Sequence, residues 1–403
     1  MDMDLQLVLC GLAVLLLRAG MALHVSGLSR SKNSAGAILR AVADLCVAVL
    51  AFWLIGAAVM NARVQLVAAG ALRLEGLGEL SPAALFFWLC VMSLAPAIAG
   101  GVVGERSRFL PMLALPLLLA AIAVPLCAAW AMGGWLARQG FIDLAGASFI
   151  HVSGGTCGLV AAILVGPRQG KYNRDGSANA IPGHSLTLAS AGVLLMLVGW
   201  VGCLAGFSLL SARSTSIGAV ALAALLAAAA GGLSSMLLCR VRYGKADIHL
   251  TYAGLLCALV AISAGAGTIS PGAAVLVGAV AGLLAPTATL AIDLTWRIDD
   301  PSNSVAVHAI GGAWGLIATA LFLPEAGLLP RLKALGAQTL GLAVAVTLAC
   351  VLALIVLAIL KRVVGLRSRE ADEFDGLDLA EHDIGAYPDF QQTMIKSYHL
   401  RET

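Results

Sequence analysis

The chain has 403 residues, 60% of them hydrophobic and only 12% charged, with a formal net charge of +3 and a mean hydropathy of +0.94. A water-soluble domain of this length cannot bury so much apolar surface, so a bilayer is the expected solvent, crossed as helices by continuous runs of about 20 apolar residues. That continuity excludes a transmembrane β-barrel, whose strands alternate, and the near-balanced charge leaves no electrostatic footprint for nucleic acid.

In chain order, candidate spans fall at 5–26, 36–60, 82–104, 109–132, 145–165, 185–210, 215–239, 249–266, 272–296, 302–323 and 337–361. The fold class is therefore an all-α polytopic membrane protein of about 11 transmembrane helices. The opening Met1-Asp-Met-Asp has no basic n-region, so the first run is expected to be a retained helix and not a cleaved signal. Lys and Arg set the orientation. Of the 25, 18 fall on the side of the C-terminus, among them Arg30, Arg106, Arg168, Arg240, Arg362, Lys396 and Arg401. Six fall opposite (Arg63, Arg73, Arg138, Arg213, Arg331, Lys333), and Arg18 lies within the first span. The imbalance predicts an outside N-terminus and a cytoplasmic C-terminus. Composition turns polar near residue 362, which divides the chain into a membrane domain of 1–361 and a tail of 362–403 suited to regulation or docking. The nine cysteines form no CxxC and sit in apolar runs, as buried free thiols do.

Two segments share one pattern. Asp143 is followed by His151, Gly154-Gly155 and Gly158-Leu159; Asp300 by His308, Gly311-Gly312 and Gly315-Leu316, at identical spacings. Each Asp suits a helix N-terminus, where a carboxylate meets free N–H groups and the positive end of the dipole, and Pro301 suits the first turn. Each His is then expected eight residues into its helix, about 12 Å along the axis. One helix runs inward and the other outward, so both histidines reach the midplane, the arrangement of an inverted repeat with a site at its interface. The glycine pairs allow close helix approach. Ionisable groups at that depth are costly and mark function.

These segments resemble the paired pore-histidine motifs of the ammonium transporter (Amt/Mep/Rh) family. Gly20-Met-Ala-Leu-His-Val-Ser-Gly is similar to the family's first-helix end, Gly104-Glu-Arg-Ser-Arg-Phe109 to its third-helix end, Gly199-Trp-Val-Gly-Cys-Leu-Ala-Gly206 to its sixth helix and Gly376-Leu-Asp-Leu-Ala-Glu-His382 to its tail signature. The resemblance covers about residues 10–390. It implies an inverted 5+5 helix repeat plus an eleventh helix, assembled as a homotrimer with one pore per subunit in an inner membrane. It implies ammonium or ammonia as substrate, a pore lined by His151 and His308, and Asp143 as an acid at the entrance with Asp300 as its structural counterpart. It also implies a docking tail for the nitrogen-signalling protein PII; Asp383 stands where that segment often has Gly. No cofactor is implied.

The outer recognition shell departs from the family. The place of the third-helix gate Phe is Val91, and that of the sixth-helix gate Phe is Cys203. The ammonium-accepting Ser is Phe207, the vestibule Trp is Ala131, and the Gln beside the retained Phe87 is Trp88. The first-helix Tyr is Val25, next to His24. Trp88 and Phe207 either form a relocated cation cage or fill the space. Cys203 has no ligand spacing around it that supports a metal site. Arg18 reads as a snorkelling or intersubunit-paired residue, or as a fixed charge against cations; His184 and His249 read as ordinary helix-start residues. The leading function is ammonium transport through a twin-histidine channel. The alternative is a non-conducting ammonium sensor that signals through its tail, and a third reading is a transporter of another small solute. An enzyme is not expected: no nucleophile–base set, phosphate loop or metal motif is present.

Overall fold

A computed structural model describes residues 2–61, 80–211, 215–324 and 327–387. Arg63, Arg73, Arg213, Lys396 and Arg401, which entered the charge count, lie outside them. Among the described residues there is no extended strand, and eleven apolar helices follow in order: α1 Met3–Leu28, α2 Ser31–Asn61, α3 Pro82–Val103, α4 Phe109–Arg138, α5 Ala147–Val165, α6 Leu186–Leu210, α7 Ile217–Tyr243, α8 Ile248–Ile262, α9 Pro271–Thr295, α10 Val305–Leu321 and α11 Leu328–Val363. Nine are long and apolar enough to cross a membrane, and α8 and α10 are shorter. The chain is an integral membrane protein.

Local chemistry sets the helix starts. The side chains of Ser81, Ser185, Ser216, Asp247 and Ser270 each accept the N–H of the residue three positions on, as N-caps do. Pro82 and Pro271 occupy the first turn, where a missing N–H costs nothing. The span with the largest displacement is the last. α11 begins at Leu328 and runs for 36 residues, about 54 Å at 1.5 Å per residue, so it extends beyond the hydrocarbon core. Arg331 and Lys333 make its first turns read as loop, but Pro330 is tolerated in a first turn and nothing else there breaks a helix. Cys46 is exposed and Cys350 half-buried, against the expectation of burial; the other seven cysteines are buried.

The packing repeats itself. α1 packs along α6, α2 against α4 as α7 packs against α9, and α3 against α5 as α8 packs against α10. α5 and α10 both lean on α11. Helices α1–α5 and α6–α10 are thus an inverted pair of five-helix units, with α11 as the additional helix.

On the face that carries Arg30, Arg106 and Arg168, a buried ion-pair network ties the helix ends. Arg168, just past α5, grips Asp299, just before α10, with two side-chain bonds of 2.9 Å and its own backbone N–H at 2.9 Å. Its Nη1 also donates to Glu105 at 2.5 Å. Glu105, past the end of α3, accepts from Arg30 Nε at 3.1 Å and Asn33 Nδ2 at 3.0 Å. Arg106, fully buried, donates to the carbonyls of Val102, Gly166 and Asp299. Burial alone would raise the Asp299 carboxyl, but its bonds to Arg168 and the Arg106 charge hold it down at about 2. Burial opposes ionisation of Glu105 as well, and Arg168, Arg30 and Asn33 overcome it, leaving its carboxyl below the ordinary value. Two short helices, α12 Glu370–Asp375 and α13 Leu377–His382, pack onto this face. Asp378 caps α2 through Ala35 N at 2.9 Å and Gly36 N at 2.6 Å. Glu373 accepts from Arg367 and from Gln169 N, both at 2.7 Å.

Replacing Arg168 by Met would leave Glu105 and Asp299 buried without their main partner, a loss of about 3–5 kcal/mol. R168M should therefore melt well below the native protein in detergent, with R168K in between; coincident melting curves would refute the network's role. The folded value of Asp299 lies below the unfolded value of about 3.9. Its stabilisation is therefore complete above about pH 4 and lost as the pH falls toward 2.

Candidate functional site

The two repeat segments meet. His151 and His308 lie with their Nδ1 atoms 3.1 Å apart, rings near-parallel at 16° and centroids 5.1 Å apart. They are 5% and 7% exposed. His151 also stacks on Trp200 of α6, centroids 5.0 Å apart at 14°, and Trp200 Nε1 donates to Ser263 Oγ at 3.1 Å. Two facing Nδ1 atoms can share only one proton. One imidazole donates from Nδ1 and the other accepts there, so the acceptor, when neutral, carries its proton on Nε2. Two imidazolium rings would turn two donors on each other.

The route to this contact differs from the sequence expectation. α5 starts at Ala147 and α10 at Val305, so each His sits in the first turn or just past it, not eight residues in. Asp143–Gly146 and Asp300–Asn303 are non-helical and buried or half-buried, the form in which irregular backbone is tolerated at membrane depth. Pro301 lies in this turn and not in the helix. Gly146 at φ +83 and Asn303 at φ +56 make the bends. Both helices open with a π-helical turn, Ala147–Val152 and Val305–Ile310, that contains the histidine; such turns recur at functional sites.

The carboxylates tie down these entries in matching ways. Asp143 accepts from the N–H of Gly146 and Ala147 at 2.9 Å and Ser148 at 2.7 Å, and from Ser148 Oγ at 2.5 Å. Asp300 accepts from Ser302 N and Oγ and, at 2.7 Å, from Val305 N. Each acid reaches the N–H five residues on. Asp143 is 7% exposed and its oxygens are already occupied by these donors. The glycines then bring the backbones together: a Cβ on Gly155 would come within 2.6 Å of Ala309 N, and one on Gly312 within 2.8 Å of Ala147 O.

The altered shell condenses into one aromatic cluster. Phe207 meets Phe87 at 5.3 Å, Trp88 at 5.4 Å and Phe149 at 5.9 Å between centroids, each edge to face. Trp88 also meets Phe149 and Phe52 at 6.4 and 6.5 Å. All five rings are between 0% and 4% exposed, so their faces are covered by each other. Val91, Cys203 and Ala131 are buried as small residues. Trp130 and Trp135 pair with each other at 6.1 Å.

Of the other singled-out residues, His24 faces the carbonyl of Ala189 at 3.2 Å, His184 that of Ser29 at 2.9 Å, and His249 the Asn303 amide at 2.7 Å. Arg18 does not snorkel; it is 4% exposed and donates to Ala41 O at 2.9 Å. No group of three potential metal ligands occurs among the described residues. Sequence reasoning missed Phe149, Trp200, Ser148 and Ser263. Phe149 had a signal, two residues before the motif His; Ser263 had none.

The sequence profile of the Ammonium Transporter Family matches residues 5–387. Ammonium transporter Amt2 of Archaeoglobus fulgidus is 33% identical over 410 residues, covering 95% of this chain and 87% of that protein. The ammonium transporter of Bacillus subtilis is 28% identical, covering 94% and 97%. The solved structure of a protein named Sensor Amt Protein superposes with a TM-score of 0.88 at 33% identity, covering 94% of this chain and 98% of that one. Saccharomyces cerevisiae Mep2 shares the fold, with a TM-score of 0.80 at 23% identity, covering 92% and 88%.

Asp143→Ala would leave three backbone N–H groups and a hydroxyl without their acceptor, at about 1–3 kcal/mol for each donor left unsatisfied. D143A should fail to yield monodisperse protein or melt far below the native chain. D143N, whose amide oxygen still accepts, should recover part of the loss. Equal melting of all three would contradict a capping role.

Proposed function

The chain belongs to the ammonium transporter family, and on that premise we propose that it passes ammonium across the membrane as neutral ammonia along His151 and His308. The observation that carries this reading is the 3.1 Å contact between the two buried imidazoles. A bare cation loses its hydration at such depth at a cost of many kcal/mol, which an apolar passage does not return. Neutral ammonia has no such penalty. It both donates and accepts, and the pair offers it both functions, an Nε2–H on one ring and a bare Nε2 on the other. Trp200 fixes the plane of His151, and Asp143 and Asp300 fix the helix entries. In this reading the proton left by ammonium travels apart from the nitrogen.

We place the arginine-rich face in the cytoplasm on the Lys and Arg asymmetry, which puts the N-terminus outside an inner membrane. We assign the membrane domain to 1–361 and the tail to 362–403, with a homotrimer as the working assembly. The exposed leucines of α1 and α7 (Leu5, Leu9, Leu12, Leu222, Leu225) suit lipid or a neighbouring subunit. The tail, seated on α2 through Asp378, is the surface for a PII-type protein.

The aromatic cluster favours a second reading, an ammonium sensor that retains the fold without steady flux. The 33% identity to the solved Sensor Amt Protein supports it, and so does the burial of Phe52, Phe87, Trp88, Phe149 and Phe207.

Ammonium-evoked current in proteoliposomes on a solid-supported membrane separates the readings. Sustained current in the native protein, strongly reduced or altered in selectivity by His151→Ala and His308→Ala, is expected for the transporter. Phe207→Ala, which removes the ring shared by three contacts, should raise the current. If correctly inserted protein gives no current, and Phe207→Ala gives none either, the transport proposal fails in favour of the sensor.

A further inference from the structure

The entry of α5 is held from α11, which lies outside the repeat. The Gln338 amide, 1% exposed, accepts from Ile142 N at 2.8 Å through Oε1. Through Nε2 it donates to Ile142 O at 2.8 Å and to Leu316 O of α10 at 3.2 Å. Two carbonyls and one N–H admit a single orientation of this amide. One turn further along α11, a side chain at Gly341 would collide with the Phe141 ring, so α11 packs against both residues that precede Asp143. From the other side, the carbonyls of Ala264 and Ser263 accept from Leu144 N and Ala145 N, each at 3.1 Å. Ser263 Oγ in turn holds Trp200, whose ring stacks on His151.

The repeat gives this contact a counterpart. Ile142 stands where the second half has Asp299, each being the residue before the repeat aspartate. The Asp299 carbonyl accepts from Arg106 at 2.7 Å, and the Ile142 carbonyl accepts from Gln338. Each entry is thus held by a buried side chain on the peptide just ahead of its capping acid. At the arginine-rich face the clamp is a charged network. At the opposite face it is a neutral amide, which costs less to bury. A shift of the Ile142 turn would move the Asp143 cap and the Ser263 support of Trp200 together, and both bear on His151. We propose that Gln338 is a positioning residue for the histidine pair: by pinning the Ile142 peptide to α11, it keeps His151 in register with His308. The proposal deepens the transport reading and rests on it for the current measured below, but not for the geometry of the imidazoles.

The test compares the native full chain, Gln338→Met and Ala353→Gly in liposomes, each held well below its melting temperature. Ala353 is buried on α11, about four turns from Gln338, so A353G loosens the same helix without reaching the Ile142 turn. Magic-angle-spinning NMR of isotope-labelled histidine reads the imidazole pair, with H308A assigning its signals. The native chain and A353G should give the same hydrogen-bonded Nδ1 signals, and folded Q338M should shift or broaden them. A purely structural role would lower the melting temperature and leave these signals as they are. On the solid-supported membrane, folded Q338M should lose about tenfold in maximal ammonium current, the cost of a misplaced group, while A353G stays near native. Should Q338M not fold, Gln338→Asn, whose amide falls one methylene short of Ile142, takes its place. Native imidazole signals or undiminished current in the folded Gln338 variant, or the same change in A353G, would each overturn the proposal. A native chain that carries no current counts against the transport reading alone, since the imidazole signals still decide the role of Gln338.

Discussion

Two imidazole nitrogens 3.1 Å apart in an apolar interior impose a demand that shapes the rest of the molecule. Each ring is too polar to be buried alone, and each half of the repeat supplies only one. The halves must therefore approach until the rings satisfy each other. Gly155 and Gly312 are the points where they do, since any side chain there would strike the other half's backbone. The approach has a further cost, because α5 and α10 begin late and the chain reaches them through buried non-helical turns. Asp143 and Asp300 take up the N–H groups that those turns leave open.

The far end of α5 is tied by charge to the entry of α10. Arg168 follows α5 and Asp299 precedes α10, so one bidentate ion pair joins the two helix pathways that carry the histidines. Glu105 draws the end of α3 and the α1–α2 connection into the same cluster. A network this buried gives little net stability relative to an apolar substitute, but it penalises any arrangement that separates the partners. The tail touches this cluster directly, because Gln169, beside Arg168, donates its N–H to Glu373 of α12.

Much of this was legible before any coordinates. Apolar runs give the helices because hydrocarbon admits little else, and the doubled Asp, His and Gly-Gly spacing gives the inverted repeat and its central pair. The depth of each histidine was not legible. A motif that looks helical from its Asp onward contains a turn, and Gly146 and Asn303, with their left-handed backbone, are the local hints. The length of α11 was hidden because charge near a membrane surface reads as loop. Long-range partners were hidden for a different reason. Gln338 with Ile142, Ser263 with Trp200 and Arg168 with Asp299 are brought together by packing, and no local spacing encodes them.

The aromatic cluster sets the last constraint. A cation cage needs ring faces turned toward the ligand, whereas Phe207 is held edge to face by three neighbours whose own faces are covered. In the proposed transport reading, a solute that reaches the histidines past this cluster displaces a ring, and Phe207 touches three of the other four. Rotation of such a side chain is a local event, rapid beside helix motion, so in that reading Phe207 is the candidate gate. Selectivity, in the same reading, rests on the cost of carrying charge between apolar walls and needs no cage. The transporter and the sensor share this first step. They differ in whether the displaced ring uncovers a continuous path or only shifts α3 and α6, whose neighbours lead to the Glu105 cluster and the tail.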